Sequence, residues 1–346
     1  MTDRYKAIGM FSGGLDSILA AKIMLNEGFE VTALHFYTGF NGKLSREITN
    51  GPGWKWTPAE SVVNSADKLG IKLVAMDVSN EYIDIITHPK YSYGSGVNPC
   101  IDCRISLLKK ARELMEIEQA ILVFTGEVLG QRPMSQHRLT LKLIGENAGL
   151  EERLLRPLSA KLLNPTLPEK EGTVNREHLY SFNGRSRKPQ QKLAGEFRID
   201  WYPQSGGGCL LTEKSFRQKY FDLVNHLKDR DITLSDLNSL KAGRHLRLES
   251  GIKVIVGRNK IENDYLEKLL SGEHWLFDAK DFPGAAVFAI DEPSEKDFPE
   301  IASICARYSK GLKEENVIIL AKKGNETREI VIKPVDHKNI EPLLIH

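Results

Sequence analysis

Met10-Phe11-Ser12-Gly13-Gly14-Leu15-Asp16-Ser17, close to the N-terminus, is the stretch from which the fold can be predicted. Residues 6–11 have the pattern of a short buried strand, and residues 18–25 have that of a helix. Gly28 follows where a helix C-cap is expected. A strand that turns through two glycines into a helix lets its backbone come close to a ligand. The stretch therefore predicts a ligand-binding turn at the edge of a parallel sheet.

The residue types in this turn favour a phosphate as the ligand. The N–H groups in the first turn of a helix have no partner within the helix and attract anions. Ser12 and Ser17 add hydroxyl donors, and Asp16 adds a carboxylate that can position Mg²⁺ beside the phosphates. Two glycines alone also occur at corners without a ligand, but the serines and the acid favour a phosphate site. The spacing matches neither the dinucleotide-binding fingerprint nor the Walker-type P-loop.

The composition is that of an ordinary globular protein. With 346 residues, of which 41% are hydrophobic and 27% charged, the chain can hold two or three domains. The formal net charge of +2 neither demands nor excludes a nucleic-acid partner. The sequence has no apolar run of membrane-spanning length and no signal peptide, so we expect a cytoplasmic protein without a membrane partner.

Strand and helix patterns alternate through the first half of the chain. Further strands are predicted over residues 29–37, 71–78, 120–124 and 154–158, with helices between them. This alternation predicts an α/β fold with a doubly wound parallel sheet, followed by a smaller C-terminal α+β domain. His35, near the end of the second strand, lies where it would approach an adenine, and simple packing explains it equally well.

Four cysteines are too few for a disulfide scaffold in a chain of this length. Cys100 and Cys103 form a Cys-x-x-Cys at the start of a predicted helix, where the helix dipole favours the Cys103 thiolate. Cys209 follows three glycines, and Cys305 has the spacing of a core residue. The first three cysteines therefore indicate metal or redox chemistry.

Several motifs together resemble the PP-loop ATP pyrophosphatases and, among them, the catalytic domain of tRNA 4-thiouridine synthetases. Residues 12–17 resemble the pyrophosphate loop of that superfamily. Residues 125–131 and the later Arg-Pro-Leu at 156–158 resemble its strand-end motifs. Cys103, followed by an arginine, and Cys209 match the places of two cysteines in the synthetases. The resemblance covers roughly residues 5–215.

The resemblance implies that ATP adenylates a uracil carbonyl in tRNA and that sulfur then displaces AMP. Sulfide or a sulfur-carrier protein would be the sulfur donor. Asp16 would hold Mg²⁺, and the catalytic residues would be Asp16, Cys100, Cys103 and Cys209. The ATP-binding residues would be Ser12, Gly13, Gly14, Leu15, Asp16, Ser17, His35, Thr125, Gly126 and Gln131.

Three interpretations of the first three cysteines stay open. In the first interpretation Cys103 and Cys209 act as a persulfide carrier and a resolving thiol. In the second, Cys100, Cys103 and Cys209 are the ligands of a [4Fe–4S] cluster with one open iron. In the third interpretation the cysteines belong to a structural zinc site completed by His137 or His178. We favour the cluster, because the pattern resembles that of PP-loop tRNA-thiolating enzymes with three-cysteine clusters.

A second resemblance indicates an RNA partner. Residues 244–335 resemble the NFACT-R domain, an RNA-binding module of ribosome quality-control factors, through their Gly-Arg-Asn and Asp-x-Lys-Asp-Phe-Pro-Gly motifs. This resemblance implies that Arg258 and Lys280 bind RNA. Ala285 and Ala286 stand where that family often has Ser-His.

The segment between the two resemblances is basic. It carries Arg185, Arg187 and Lys188, which form either a track for RNA phosphates or a solvated connector. We expect a PP-loop domain over residues 1–163, a basic and cysteine-bearing segment over 164–243, and the NFACT-R-like domain over 244–346. The synthetases usually carry an RNA-binding region before the PP-loop, and we expect the C-terminal domain to replace it.

The function predicted from the sequence is ATP-dependent thiolation of a tRNA uridine. One alternative is another PP-loop ligase, such as a deazapurine nitrile synthase with structural zinc. A second alternative is a non-catalytic RNA-binding factor with a vestigial PP-loop. Metal content and the nucleoside formed in tRNA distinguish the first alternative, and ATP turnover with tRNA distinguishes the second.

Overall fold

The computed structural model describes residues 4–40, 58–203, 208–227 and 230–345, which divide into two compact units. The first unit holds the described residues up to Cys209, and the second begins at Leu210. Gly206 and Gly207, two of the glycines before Cys209, lie outside the described residues. The domain boundaries expected after residues 163 and 243 stay a prediction.

Five parallel strands form the centre of the first unit, in the order β3-β2-β1-β4-β5. The order in which strands are added to the sheet changes side at β1: β2 pairs with one edge of β1, and β4 pairs with the other. Ligands of open parallel sheets bind at the carboxyl ends of the strands at such a reversal. The strands are β1 (Lys6–Met10), β2 (Glu30–Tyr37), β3 (Lys72–Asp77), β4 (Leu122–Thr125) and β5 (Leu154–Leu155).

Helices cover both faces of this sheet, as the predicted doubly wound fold requires. Side chains alternate between the faces of a strand, so Ala7 joins one apolar core and Ile8 the other. The helices of the first unit are α1 (Leu15–Asn26), α2 (Glu60–Leu69), α3 (Tyr82–Thr87), α4 (Cys100–Ile117), α5 (Arg138–Asn147), α6 (Leu167–Lys170) and α7 (Lys188–Glu196). Buried residues of α1, α2 and α7 line the first core, and those of α4 and α5 line the second.

Residues 164–203 are folded against the first core. Val174, Leu179, Leu193 and Ile199 are buried among residues of α1 and β1. The solvated-connector interpretation of this segment is therefore wrong, because its apolar side chains complete the core of the PP-loop sheet.

The second unit contains a six-stranded antiparallel sheet in the order β11-β10-β8-β9-β7-β6. The sequence patterns do not predict β6 and β8. The strands are β6 (Arg244–Arg247), β7 (Lys253–Val256), β8 (Trp275–Ala279), β9 (Val287–Ala289), β10 (Val317–Lys323) and β11 (Glu326–Ile332). The helices are α8 (Lys214–His226), α9 (Leu234–Ser239), α10 (Lys260–Leu270), α11 (Asp297–Arg307) and α12 (His337–Ile340).

The smaller C-terminal α+β domain predicted from the sequence is thus present as a separate sheet with its own core. Cys305 lies fully buried in that core, as expected, and its thiol contacts the Phe277 carbonyl oxygen at 3.4 Å. Across the four described ranges, no helix combines the length and apolarity needed to cross a bilayer.

Candidate active site

The turn after β1 has the geometry of a phosphate-binding loop. Gly13 has a φ of +71°, a conformation that favours glycine, and a Cβ there would lie 3.0 Å from Val62. Gly14 is the N-cap of α1 and provides no side chain to cap the helix. Ser17 Oγ donates to the Gly14 carbonyl oxygen at 2.8 Å and lies 3.3 Å from Ser12 Oγ. Serine hydroxyls and first-turn N–H groups thus gather at one point.

Asp16 faces the loop after β4. Its Oδ2 atom accepts a hydrogen bond from Gln131 Nε2 at 3.1 Å. Its Oδ1 atom is shielded from solvent and accepts no hydrogen bond from the described residues. A buried carboxylate oxygen without a partner is costly, and a cation beside bound phosphates would satisfy it. Asp16 therefore fits the predicted role of a Mg²⁺ ligand.

Gly126 lets this second loop approach the first turn of α1. A Cβ at Gly126 would lie 2.5 Å from the Asp16 carbonyl carbon and 2.7 Å from the Ser17 nitrogen. Any other residue here would force the two loops apart. Thr125, the last residue of β4, is buried, and its Oγ1 atom donates to Glu127 Oε2 at 3.2 Å.

His35 lies at the same end of the sheet. Its Nδ1 atom donates to the Phe11 carbonyl oxygen, 2.7 Å away, in the turn that precedes Ser12. Burial lowers the pKa of His35, and the hydrogen bond to Phe11 only partly opposes this. The imidazole is therefore neutral near pH 7 and fixed against the phosphate-loop backbone.

Glu127 joins this edge of the sheet to the cysteine-bearing helix. Its Oε2 atom accepts from Arg156 Nε at 3.1 Å, and its Oε1 atom lies 3.6 Å from Arg104 Nε. Glu127 and Arg156 are 4% and 7% exposed. Burial alone would raise the pKa of Glu127, but the guanidinium groups of Arg156 and Arg104 hold it below its usual value. Glu127 is thus an ionised group that is buried between two cations.

Tyr82 lies beside Cys103. It is 2% exposed, and its hydroxyl is hydrogen-bonded to the Cys103 sulfur. Burial raises the pKa of Tyr82 well above its usual value, and the charges of Cys103, Cys209 and Cys100 raise it further. Cysteines from segments that lie far apart in the sequence thus act on one phenol.

The sequence predicts that the helix dipole lowers the pKa of Cys103, but in the structure this pKa is raised. Burial raises the pKa of Cys103, although Arg104 and the Tyr82 hydroxyl oppose it. Burial likewise raises the pKa of Cys100, against opposing effects of Arg104 and Arg132. The start of α4 is a partly desolvated site, and desolvation of the sulfur disfavours its charged form.

No group of three or more histidine, cysteine or acidic side chains in the described ranges is arranged to hold a metal ion. The predicted cluster ligands Cys100, Cys103 and Cys209 do not form such a single-ion group. His178, the candidate zinc ligand, is bound through Nδ1 to Glu27 Oε1 at 2.6 Å. The iron–sulfur cluster, whose ligands would bind different irons, stays a prediction.

The residues predicted to bind RNA differ in how free their charges are. Arg185 and Lys188 are exposed beside the N-terminus of α7, and Arg187 is half-buried there. Arg258 Nε donates to both carboxylate oxygens of Glu262 at 2.9 Å. Lys280 Nζ donates to Glu329 Oε2 at 2.9 Å. These last two cations are thus already paired within the second unit.

Sequence reasoning missed Tyr82 and Arg104 and did not assign Glu127 a role. The arginine after Cys103 and the acid after Gly126 were both visible as residues, but their pairing links chain positions that no local pattern connects. Tyr82 begins a six-residue helix that the sequence patterns do not predict.

Two family models match the chain. Residues 3–161 match the thiamine biosynthesis protein (ThiI) family, and residues 243–343 match the NFACT protein RNA binding domain. Together with the fold and the loop geometry, these matches agree with both resemblances drawn from the sequence.

Curated relatives are tRNA-modifying enzymes by name. A tRNA-specific 2-thiouridylase MnmA of Cutibacterium acnes is 30% identical over 28% of this chain and 27% of its own length. A protein of that name from Burkholderia vietnamiensis is 24% identical over 84% of this chain and 71% of its own length. A probable tRNA sulfurtransferase of Methanocaldococcus jannaschii is 28% identical over 45% of this chain and 40% of its own length. The chain thus spans little more than a quarter of the first of these relatives.

Among solved structures, the C-terminal part of a fibronectin/fibrinogen-binding protein from Streptococcus suis is 15% identical, with a TM-score of 0.28. It covers 71% of this chain and 90% of its own. A score this low carries no argument about fold, so the assignment depends on the family matches and on the two sheets. Residues 3–161 are a PP-loop domain of the ThiI type, and residues 243–343 are an RNA-binding domain of the NFACT type.

Proposed function

We propose that this chain catalyses the ATP-dependent thiolation of a uridine in tRNA. One observation carries the proposal: a contact path and a second, electrostatic link join the phosphate loop to the cysteines. The first runs from Asp16 through Gly126 to Glu127, which is paired with Arg104 beside Cys103. The names of the curated relatives support the same class of reaction.

The second link runs through the residues after Gly130. Gln131 donates to Asp16, and the charge of its neighbour Arg132 acts on both Cys100 and Cys103. A nucleotide held at the phosphate loop and a sulfur carried at the start of α4 therefore lie at the same edge of one sheet. This adjacency is what a base that is first adenylated and then thiolated requires.

The phosphate loop prepares ATP for attack at its α-phosphorus. N–H groups of α1 and the hydroxyls of Ser12 and Ser17 bind the phosphates, and Asp16 Oδ1 accepts the cation. Mg²⁺ supplies neutralisation of the charge that develops on the departing pyrophosphate. The uracil carbonyl oxygen bonds to the α-phosphorus, and pyrophosphate leaves with the electron pair of the broken bond.

Sulfur transfer is proposed to use Cys103 and Cys209 as a persulfide carrier and a resolving thiol. The outer sulfur attacks the activated carbon, and AMP leaves with the former carbonyl oxygen. The second thiol then attacks the inner sulfur, which releases thiouridine and leaves a disulfide that a cellular thiol reduces. The alternative is a [4Fe–4S] cluster held by Cys100, Cys103 and Cys209, with one iron left open for sulfide.

The proposed partners follow from the two domains. The tRNA would contact the NFACT-type domain and the exposed cations Arg185 and Lys188 of the first unit. For the persulfide route, a sulfur-carrier protein would transfer the outer sulfur of its own persulfide to Cys103, with the carrier's thiol as leaving group. Sulfide would serve only the cluster alternative. We place the enzyme in the cytoplasm.

Mass spectrometry of tRNA nucleosides, with and without the protein, ATP and a sulfur source, either a persulfide donor or sulfide, tests this function. We expect a thiouridine that depends on ATP, together with equal amounts of AMP and pyrophosphate. A modified deazapurine instead would indicate a nitrile synthase, and absence of tRNA-dependent AMP would indicate a non-catalytic RNA-binding factor. Iron analysis of anaerobic protein separates the two sulfur routes, because the persulfide route works in colourless protein.

A further inference from the structure

The second unit contains a cleft of about 710 Å³ on one side of its sheet. The cleft is lined by the β7–α10 connection, by β8 and the turn after it, and by Tyr308 at the end of α11. Its volume lies within the range of about 300–1,000 Å³ that is typical of small-molecule sites. It therefore has room for one nucleotide rather than for a duplex.

The charges of the cleft argue against a phosphate ligand. Four cationic side chains line it, but four acidic ones do so as well, Asp278 and Asp281 among them. Two of the four cations, Arg258 and Lys280, are already bound to carboxylates of Glu262 and Glu329. The lining thus has no excess of positive charge with which to hold an RNA backbone.

The one buried side-chain atom of the lining that has no hydrogen bond with the described residues is an acceptor. Asn263 Nδ2 donates to the Gly284 carbonyl oxygen at 3.2 Å, whereas Asn263 Oδ1 is buried and accepts nothing from the described residues. Asp278 and Asp281 contribute carboxylate acceptors to the same lining. A ligand that complements this cleft must therefore supply N–H donors.

A stacking surface lies beside these acceptors. The guanidinium carbon of Arg244 lies 5.3 Å from the centroid of the Tyr308 ring. Unpaired RNA bases stack on aromatic rings and on guanidinium planes of this kind. The match of residues 243–343 to an RNA-binding domain makes a base the natural occupant of the surface.

We propose that this cleft binds one unpaired RNA nucleotide whose base carries an exocyclic amino group: cytosine, adenine or guanine. Carboxylates accept hydrogen bonds from such amino groups, and uracil has no amino group. The base stacks against Arg244, and two acceptors among Asp278, Asp281 and Asn263 take its two amino hydrogens. The inference depends on the RNA-binding part of the proposed function and not on thiolation.

Fluorescence anisotropy of short labelled oligo(C) and oligo(U) with the full chain tests the proposal. We expect oligo(C) to bind about tenfold more tightly, because one good base contact discriminates by at least that factor. Asp281→Asn, at an exposed position, should bring the two affinities within about threefold of each other. Glu315→Gln, an exposed position outside the cleft, is the control and should leave the preference intact.

A second pair of variants tests the stacking. Arg244→Gln should weaken both oligonucleotides about tenfold at every salt concentration, whereas Tyr308→Phe, which keeps the ring, should not. If Arg244→Gln instead lowers the salt slope by about one, Arg244 binds a phosphate and the proposal is wrong. Equal affinity of the wild type for oligo(C) and oligo(U) would also overturn it. A labelled oligolysine peptide tests whether the cleft binds a basic peptide instead. The proposal is wrong if Asp281→Asn abolishes binding of this peptide but leaves binding of oligo(C) unchanged.

These outcomes are independent of the proposed reaction. A protein that thiolates tRNA but does not distinguish the oligonucleotides would disprove only the base-binding cleft. A protein that prefers oligo(C) but forms no thiouridine would disprove only the thiolation.

Discussion

The phosphate loop and the cysteine site lie in the same unit but are built in different ways. The loop is local: Ser12, Gly14 and Ser17 contact one another within six consecutive residues. The cysteine site is assembled from distant segments, because Tyr82 is hydrogen-bonded to Cys103 and feels the charge of Cys209, more than a hundred positions further along the chain. A local site depends on backbone conformation, whereas an assembled site depends on buried charges and on packing.

The difference also has an energetic side. Asp16 Oδ1 accepts no hydrogen bond from the described residues and so keeps a place for a ligand. Glu127 Oε1 accepts none from them either, but the Arg104 guanidinium lies 3.6 Å away and Arg156 binds the other oxygen, so the charge of Glu127 is paired within the site. We therefore expect substitutions in the loop to affect catalysis, and substitutions in the charge network to affect stability first.

The largest effect should come from Asp16→Asn. The amide keeps an acceptor for Gln131 but removes the charge that holds the cation, so AMP formation should fall by about a thousandfold. The thermal midpoint should stay close to that of the wild type. Asp67→Asn, an exposed acid on α2, is the matched control and should retain full turnover. Normal AMP formation by the Asp16 variant would remove the proposed role of the loop.

Next in size is Glu127→Gln, which leaves the buried Arg156 and the partly exposed Arg104 without their counter-charge. Removal of one partner from a buried ion pair costs about 3–5 kcal/mol of unfolding free energy. Glu118→Gln breaks the more exposed pair with Lys72 and should cost about 1 kcal/mol or less. Urea denaturation measures both values, and similar losses in the two variants would contradict the contrast drawn here.

The stabilisation that Glu127 provides, measured as the difference between the wild type and Glu127→Gln, should depend on pH in one direction. Because the pKa of Glu127 is lower in the folded chain than in the unfolded one, its stabilisation is complete above about pH 4.5. The difference in unfolding free energy between wild type and Glu127→Gln should shrink as the pH falls through the folded pKa. A constant difference from neutral to acidic pH would show that Glu127 is not ionised when buried.

A smaller effect is expected on the reactivity of Cys103. Its raised pKa predicts that alkylation by iodoacetamide, followed by peptide mass spectrometry, has its midpoint above about pH 8.5. Tyr82→Phe should move the midpoint further up, because the hydroxyl donates a hydrogen bond to the thiolate. Tyr180→Phe, packed against the other core, should leave it unchanged. A midpoint below that of a free thiol would show that the helix dipole lowers the pKa of Cys103 more than burial raises it.

The smallest effect should come from the exposed cations beside α7. The double variant Arg185→Gln/Lys188→Gln should reduce the salt slope of tRNA binding by about two, if each contacts one phosphate. Lys109→Gln with Lys142→Gln removes the same charge at exposed positions of the first unit outside this segment and serves as the control. An unchanged slope in the first variant would exclude a tRNA track along this segment.

Sequence patterns predict the parallel sheet and the phosphate loop well, because both depend on neighbouring residues. The strand before Ser12, the helix after it and the place of Gly13 follow from hydrophobic periodicity and from glycine chemistry. The charge state of Cys103 does not follow, since its burial depends on Tyr82 and on the packing of α4 against the sheet. The pairing of Arg258 and Lys280 with acids is likewise a tertiary feature.

The central claim is that the phosphate loop and the cysteines act in turn on the same uracil carbon. Transfer of heavy oxygen from a labelled uracil carbonyl of tRNA tests this claim most directly. If the carbonyl oxygen bonds to the α-phosphorus and leaves with AMP, one labelled AMP forms for each thiouridine. Unlabelled AMP, with thiouridine formed in unrelated amounts, would contradict the account, because ATP cleavage and sulfur transfer would then be separate reactions.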